Sequence, residues 1–259
     1  MNIRAVVTAY NQFGYTSKNI QQLIKAGFSN LSIIQNGNTN LAPLKNEGLS
    51  FDLITNRDLP KWSQALNKYI PSFEEEWLCI VHNDCIVGSS FLSKIEKHLS
   101  SPDPQVRILV PWTNYSRYDN LVHNPIKIKA EQYKPPNKVN LSLEQVNSVL
   151  EKAYGSLDDF TATFKVVNFN MFCQDFDSYC FLIRTQDWIP FNEEFITLGW
   201  MEKLWYQQQK RLGNEAWLMN DVYVHHHGNL TTDGIPFNYP EMYNQDRQLY
   251  DSLTNNQIS

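Results

Sequence analysis

The 259-residue sequence has no long apolar segment. No stretch approaches the roughly 20 consecutive apolar residues that a membrane-spanning helix needs. The first residues, MNIRAVVTAYNQ, also lack the apolar region and the small-residue cleavage site of a signal peptide. We therefore expect a soluble, cytoplasmic protein with no transmembrane segment, for which peripheral contact with a membrane stays open.

Clustered basic residues and paired cysteines are scarce as well. Lys and Arg number 22 against 27 Asp and Glu, a formal net charge of −5. Proteins that work by holding a nucleic-acid backbone carry clustered Lys and Arg, so we do not expect a nucleic-acid partner.

The four cysteines, Cys79, Cys85, Cys173 and Cys180, form no C-x-x-C pair. They are predicted to be reduced packing residues, without a structural zinc site.

Aromatic residues are plentiful, with 7 Trp, 13 Tyr and 14 Phe. They supply material for a core and for stacking surfaces. The length fits one large domain, or a core domain with an elaborated C-terminal half, and we favour one domain. Disorder is expected only at the polar tail, residues 254–259.

The most informative stretch is residues 77–87, WLCIVHNDCIV. Its near-continuous apolar run is typical of a strand buried on both faces. The run ends at the polar triplet His82, Asn83 and Asp84. In open α/β sheets the ligand lies outside the carboxyl ends of the strands, so Asp84 is predicted to face a ligand. The alternative is that Asp84 only caps a turn.

Strand-like and helix-like segments alternate along the chain, which predicts an α/β fold with a mostly parallel sheet flanked by helices. Residues 112–140 show no helical or strand-like hydrophobic periodicity. They are predicted to be a long irregular segment of the kind that forms lids or binding loops. Predicted strands cover residues 3–9, 31–34, 51–55, 77–81, 106–111, 178–184 and 216–224. Predicted helices cover residues 15–26, 61–70, 89–99, 143–154 and about 200–213.

Five segments together carry a resemblance to a known family. They are AVVTAYNQ, LSIIQNGNTN, VHNDC, FNEEFITLGWMEKL and VYVHHHGN. Their order and spacing resemble the GT-A fold glycosyltransferases, in particular family 2, whose members transfer a sugar from a nucleotide donor. VHNDC is similar to the family's DxD metal motif, with His82 in place of the first acid. Gln35 likewise stands where the family has an acidic residue.

The resemblance implies a GT-A, Rossmann-like fold with an elaborated acceptor-side C-terminal half. A nucleotide-binding half would cover about residues 1–111, and the acceptor-side half about residues 112–259. The implied nucleotide-binding residues follow the strand ends and are Thr8, Ala9, Tyr10, Asn11, Gln35, Asn36, Asn56 and Asn83.

A sugar-diphosphate leaving group develops negative charge, which a divalent cation stabilises. The resemblance implies Mn²⁺ or Mg²⁺, with Asp84 as a hard oxygen ligand. His82 is a second predicted ligand. One histidine of the triplet 225–227 is a third, with His227 favoured because Gly228 lets the chain turn beside it, and with His225 behind it. The alternative is that the triplet is only a polar loop after a strand.

In an inverting displacement, a carboxylate takes the proton of the attacking acceptor hydroxyl. Glu202 is the first choice for this base, followed by Glu193 and Glu194. The alternative is that all three form a solvated helix start, where acids favour the positive end of the helix dipole. Trp200 is predicted to stack on the acceptor, and its alternative is core packing.

These expectations describe a metal-dependent, inverting glycosyltransferase of glycan biosynthesis. It would move a sugar from a nucleoside-diphosphate donor to a hydroxyl of a glycan or lipid-linked acceptor. One alternative is a nucleotidyltransferase that makes sugar nucleotides, although the chain lacks a glycine-rich, lysine-bearing phosphate loop near its first strand. Another is a degenerate domain that only binds a glycan or a partner. It is favoured by Gln35 and His82, and by Met201, which takes the place of the family's catalytic carboxylate in one of two possible alignments of its helix, the other placing Glu202 there.

Overall fold

A computed structural model describes residues 2–10, 12–36, 40–46, 48–56, 61–100, 106–114, 141–165, 177–227 and 238–255. Asn11, Cys173, Gly228 and most of the predicted irregular segment therefore lie outside the described residues. Of the described part of that segment, Trp112 and Thr113 continue the strand Ile108–Thr113, and Asn114 forms a bend after it.

The described elements follow the predicted alternation closely through the first hundred residues. The strands are β1 (Ile3–Ala9), β2 (Asn30–Gln35), β3 (Asp52–Thr55), β4 (Trp77–His82), β5 (Cys85–Val87), β6 (Ile108–Thr113), β7 (Cys180–Arg184) and β8 (Ala216–His226). The helices are α1 (Phe13–Lys25), α2 (Ala42–Asn46), α3 (Trp62–Tyr69), α4 (Phe91–Leu99), α5 (Leu143–Tyr154), α6 (Leu157–Thr163), α7 (Leu198–Arg211) and α8 (Tyr239–Asn255).

The described strands form one sheet in the order β3-β2-β1-β4-β7-β6-β8-β5. Strands β3, β2, β1 and β4 pair in parallel, as do β6 and β8. Strands β7 and β5 run antiparallel to their neighbours. The prediction of a mostly parallel α/β sheet is thus confirmed. The chain order reverses between β1 and β4, and ligands of open α/β sheets bind at such a switch point.

The core explains why the strands read as continuous apolar runs. Val6, Leu78, Ile80 and Phe181 lie in neighbouring strands and are fully buried. Helices cover the sheet, so a polar residue on either face of a central strand would lose its water. Helix α1 contributes one apolar side, on which Ile20 is fully buried.

Two features of the C-terminal half differ from the sequence prediction. Helix α8 was not predicted, and it extends to Asn255, into the tail that was expected to be disordered. Met242, Tyr243, Leu249, Tyr250 and Leu253 recur there at helical spacing, a pattern that the sequence prediction did not use. Strand β8 continues two residues beyond the predicted end at Val224, because Ile86 and Cys85 of β5 pair with His225 and His226.

The cysteines that the structure describes agree with their predicted role. Cys79, Cys85 and Cys180 are buried and carry no disulfide. None of the described helices combines the length and the apolar character that crossing a membrane requires.

We expect Gly88→Ala to destabilise the fold by about 1 to 3 kcal/mol, the usual cost of overpacking. A Cβ at Gly88 would lie 1.8 Å from Thr161 Oγ1 and 2.7 Å from Thr161 Cβ, so α6 packs directly on this backbone. Thr161→Ala removes the nearer atom but keeps its Cβ, so it should rescue Gly88→Ala only in part. Urea unfolding of both single variants and the double variant measures the coupling. Strictly additive effects would contradict this contact.

Candidate functional site

The switch point between β1 and β4 carries polar and aromatic groups. Thr8 and His82 are register partners at the carboxyl ends of these strands. Trp62 of α3 bridges them: its Nε1 donates to Thr8 Oγ1 at 2.7 Å, and its ring meets the His82 ring edge-on at 5.5 Å between centroids. Tyr10 follows β1 and is half-buried. The edge predicted to bind nucleotide therefore has an ordered aromatic wall.

Beside this wall, three side chains form a group that could hold a metal ion. One ligand atom each from His82, Asp84 and His226 lies within 4.8 Å of the other two. His226 Nε2 lies 3.7 Å from Asp84 Oδ1, and both side chains are buried. The predicted ligands Asp84 and His82 are thus brought together, and the triplet of histidines supplies His226.

Asp84 is held by the turn between β4 and β5, which helix α1 fixes. Asn19 Nδ2 donates to the backbone carbonyl of His82 at 3.2 Å. Asn83 Nδ2 donates to Thr16 Oγ1 at 2.9 Å, and both of these side chains are buried. Asn83, predicted to bind nucleotide, therefore directs its amide toward α1 and positions the turn.

His226 is held from both sides. Asn114 Nδ2 donates to the His226 carbonyl at 2.9 Å, and the His226 backbone N–H donates to Asn114 Oδ1 at 2.6 Å. The ring of Tyr179 stacks on the imidazole, with centroids 5.0 Å apart and planes at 19°. The next residue ties the strand to the turn, since the His227 N–H donates to the Asp84 carbonyl at 3.1 Å. The end of β8 and the Asp84 turn form one hydrogen-bonded unit.

His225 and His227 lie outside the group that the described residues form. His225 Nδ1 lies 2.8 Å from the hydroxyl of Tyr154, and His227 Nδ1 lies 2.6 Å from that of Tyr15. Burial, followed by the neighbouring His227 and His226, lowers the pKa of His225 well below its usual range. Successive side chains of a strand point to opposite faces, so extending β8 to His226 separates His226 from its two neighbours.

Hydrogen bonds also connect the ends of the first three strands. The Asn36 N–H donates to the Ala9 carbonyl at 2.8 Å, and the Asn56 N–H donates to the Gln35 carbonyl at 2.9 Å. Asn56 Nδ2 donates to Asn36 Oδ1 at 2.7 Å, and Gln35 Oε1 accepts from the Leu41 N–H at 3.2 Å. The predicted nucleotide-binding residues of these ends thus share one edge, and their contact with a nucleotide stays a prediction.

The three predicted base carboxylates have different environments. Glu202 of α7 is fully buried and accepts from the Ser178 backbone N–H at 3.3 Å and from the Ser178 hydroxyl. Glu193 and Glu194 are exposed. Glu193 Oε1 accepts from Asn67 Nδ2 at 2.8 Å, which ties its loop to α3. A solvated position therefore describes Glu193 and Glu194 but not Glu202.

A further buried carboxylate, Asp177, was not singled out from the sequence. It is 1% exposed and directly precedes Ser178. Burial, and then the charges of Asp84 and Asp177, raise the pKa of the Cys85 thiol well above its usual value, so Asp177 lies near the Asp84 turn. A single Asp before a strand carries no local signal, because such residues are common in loops.

Trp200 packs between α7 and α8. Its ring centroid lies 5.6 Å from that of Tyr243 and 5.0 Å from that of Tyr250. Lys203 Nζ lies 5.1 Å from the Trp200 ring. Trp200 is half-buried, so the packing alternative describes this face of its ring. Its stacking on an acceptor stays a prediction.

The chain adopts the GT-A fold, which the comparison with solved structures shows. A mannosyltransferase from Pyrobaculum calidifontis, solved with GDP-Man and Mn²⁺, matches with a TM-score of 0.56 and 12% identity, over 87% of this chain and 56% of that one. Residues 1–349 of TarS from S. aureus match with a TM-score of 0.53 and 14% identity. This match covers 97% of this chain and 65% of that one.

Glucosyl-3-phosphoglycerate synthase from Mycobacterium tuberculosis, solved with Mn²⁺, UDP and phosphoglyceric acid, matches with a TM-score of 0.54 and 13% identity, over 97% of this chain and 77% of that one. This chain thus spans between about half and two thirds of the first two of these structures. No protein-family model and no curated protein matches the sequence. At these identities the likeness establishes the fold, and the predicted GT-A architecture is confirmed.

The residues at the switch point fit a divalent cation. A carboxylate and two imidazoles converge within 4.8 Å, and both residue types are common metal ligands. Several of the similar structures contain Mn²⁺ or Mg²⁺ together with a nucleotide. The structure therefore places residues that could bind a metal ion at Asp84, where the sequence predicted such a site.

Proposed function

We propose that this chain is a metal-dependent, inverting glycosyltransferase. It would move a sugar from a nucleoside-diphosphate donor to a hydroxyl of a glycan or lipid-linked acceptor. The observation that carries the proposal is the group of His82, Asp84 and His226 at the switch point of a GT-A sheet. A fold alone hosts many activities, whereas ligands converging where the fold binds nucleotides define a chemistry.

His82, Asp84 and His226 would hold the cation. When bound, a divalent cation would neutralise the charge that develops on the diphosphate as the bond between its oxygen and the anomeric carbon of the sugar breaks. The hydrogen-bonded turn fixes Asp84 before the donor arrives, so little reorganisation is needed at the moment of transfer.

The nucleoside would lie over the ends of β1 to β3. There the chain offers the backbone of Thr8, Ala9 and Tyr10, and the amide groups of Asn36 and Asn56. Gln35 ends β2 beside them, and Asn11, also predicted to bind nucleotide, lies outside the described residues. Such groups suit the hydroxyls and ring edges of a nucleoside, which need neutral donors and acceptors.

Glu202 would be the general base toward the acceptor, with Glu193 and Glu194 as the exposed alternatives. The acceptor would enter beside α7, near Trp200. We further propose that residues 1–259 form one domain, because β7 and β8 of the C-terminal half pair with β4, β5 and β6 in a single sheet.

The test is donor turnover by the purified chain with a panel of nucleoside-diphosphate sugars, with Mn²⁺ and with excess chelator. We expect release of the nucleoside diphosphate that requires the metal, and a product whose anomeric configuration is inverted when followed by NMR. Release of pyrophosphate from a sugar phosphate and a nucleoside triphosphate would instead identify a nucleotidyltransferase. Failure to bind any nucleoside diphosphate would contradict the proposal.

The burial of Glu202 favours one alternative, a domain that binds a donor without transferring its sugar. A buried carboxylate needs a local opening before it can reach an acceptor hydroxyl. Tight, metal-dependent nucleotide binding without turnover on any acceptor would support this alternative.

A further inference from the structure

The ligand set at the switch point is unusual for a magnesium site. Two of its three members, His82 and His226, are imidazoles, and Asp84 is the one carboxylate in the group. Magnesium binds oxygen ligands and dehydrates reluctantly, so it usually keeps several waters. Imidazole nitrogen suits zinc, copper, iron and nickel. The chemistry of this donor set therefore discriminates between classes of divalent cation.

Burial strengthens this discrimination. The side chains of His226 and Asp84 are only 8% and 7% exposed. A cation held by both must therefore lose water on that side. Loss of water costs Mg²⁺ more than it costs a transition ion that gains nitrogen ligands in exchange.

The two imidazoles are also held in place. Tyr179 stacks on His226, and Asn114 hydrogen-bonds both backbone groups of His226. Trp62 packs edge-on against His82. Hydrogen-bond partners that orient a metal ligand typically contribute about 10- to 100-fold to metal affinity, and these ring and backbone contacts likewise restrict the orientation of both imidazoles. Rotating the rings away to make room for a hydrated magnesium ion would break these contacts.

We infer that the group of His82, Asp84 and His226 selects first-row transition ions over Mg²⁺. Affinity follows the general order for nitrogen and oxygen ligands, so Co²⁺ and Zn²⁺ bind more tightly than Mn²⁺. The inference deepens the proposed function, on which the role of the cation rests, by naming its class. The preference itself is a property of the three side chains and is measured without a nucleotide.

The test uses tag-free protein that has been stripped with a chelator, so that no added histidines compete. Co²⁺ is titrated in and followed by its visible absorption bands, and Mg²⁺, Mn²⁺ and Zn²⁺ are then added as competitors. We expect Zn²⁺ to displace Co²⁺ near stoichiometry, and Mg²⁺ to need at least about a 100-fold excess. Displacement of Co²⁺ by Mg²⁺ at similar concentration would overturn the inference.

Three variants locate the effect. His226→Ala should lower Co²⁺ affinity by at least about 100-fold, since a ligand matters no less than the residues that orient it. His82→Asp exchanges a nitrogen ligand for oxygen, so the ratio of Co²⁺ to Mg²⁺ affinity should fall by about tenfold or more. His98→Gln is the matched control. His98 lies on α4, where its Nε2 is 2.6 Å from a carboxylate oxygen of Asp221 on β8, and it is not in the group.

The control should retain the Co²⁺ spectrum. Thermal melts show whether each variant is folded, and the comparison of ions in the unaltered chain does not depend on any variant. If His82→Asp and His226→Ala both keep the original Co²⁺ to Mg²⁺ ratio, the inference is wrong. Equal affinities together with sugar transfer would overturn the inference alone, whereas Co²⁺ selectivity without nucleotide binding would overturn the proposed function alone.

Discussion

Asp84→Ala is expected to abolish metal-dependent binding of a nucleoside diphosphate while leaving the fold intact. Asp84 supplies the one negative charge of the described group, and the remaining His82 and His226 are neutral when they act as ligands. Loss of a ligand should weaken binding at least as much as loss of a residue that orients one, so we expect at least about a 100-fold loss. Calorimetric titration of UDP or GDP with Mn²⁺ measures it.

The fold should survive because backbone groups hold the turn. The His227 N–H donates to the Asp84 carbonyl, and Asn19 reaches the carbonyl of His82, so neither bond needs the carboxylate. Asp187→Ala is the control, since its carboxylate lies 3.7 Å from Arg107 and follows the end of β7 that pairs with the start of β4, opposite to the switch point. Nucleotide affinity that is unchanged in Asp84→Ala, with Mn²⁺ present, would remove the metal assignment.

Local sequence pattern predicted the part of the fold that organises the site. The apolar run of β4 ends at His82 both in the prediction and in the structure. A central strand buried on both faces leaves its signature in consecutive residues, so no long-range information is needed. The same reasoning placed the ligand crevice at the ends of β1 and β4.

The ranking of the histidines needed information that local pattern does not contain. The sequence prediction ended β8 at Val224, whereas pairing with β5 carries it through His226. That pairing joins residues about 140 positions apart, and it decides which ring shares a face with Asp84. If the triplet were a loop, no strand geometry would place the side chain of His226 on a different face from those of His225 and His227.

Burial of polar residues was equally hidden. Glu202 and Asp246 are charged residues of amphipathic helices, yet both carboxylates are buried. Asp246 accepts from the Ile196 and Thr197 N–H groups at 2.9 and 2.6 Å and thereby fixes the start of α7. Such carboxylates can be buried because backbone N–H groups donate hydrogen bonds to them. These donors come from distant segments of the chain, so the local sequence does not reveal them.

Glu202→Gln is expected to lower turnover by roughly 10²- to 10⁴-fold with donor binding nearly unchanged, the size of effect typical of a lost general base. The amide keeps the shape of the side chain, and its oxygen can still accept from Ser178. Donor affinity should hold, because Glu202 is not among the ligands of the candidate metal group. Steady-state kinetics with the accepted donor, together with calorimetry, separate the two quantities.

Glu193→Gln and Glu194→Gln are the matched controls, since both glutamates are exposed and precede the same helix. If Glu202 is the base, its variant alone should lose the acidic limb of the pH–rate profile, because protonation of that carboxylate produces the limb. A loss below about threefold in Glu202→Gln, with a large loss in Glu193→Gln or Glu194→Gln, would move the role to that residue. A lower melting temperature with unchanged turnover per folded molecule would instead show that Glu202 only anchors α7 to the segment before β7, through Ser178.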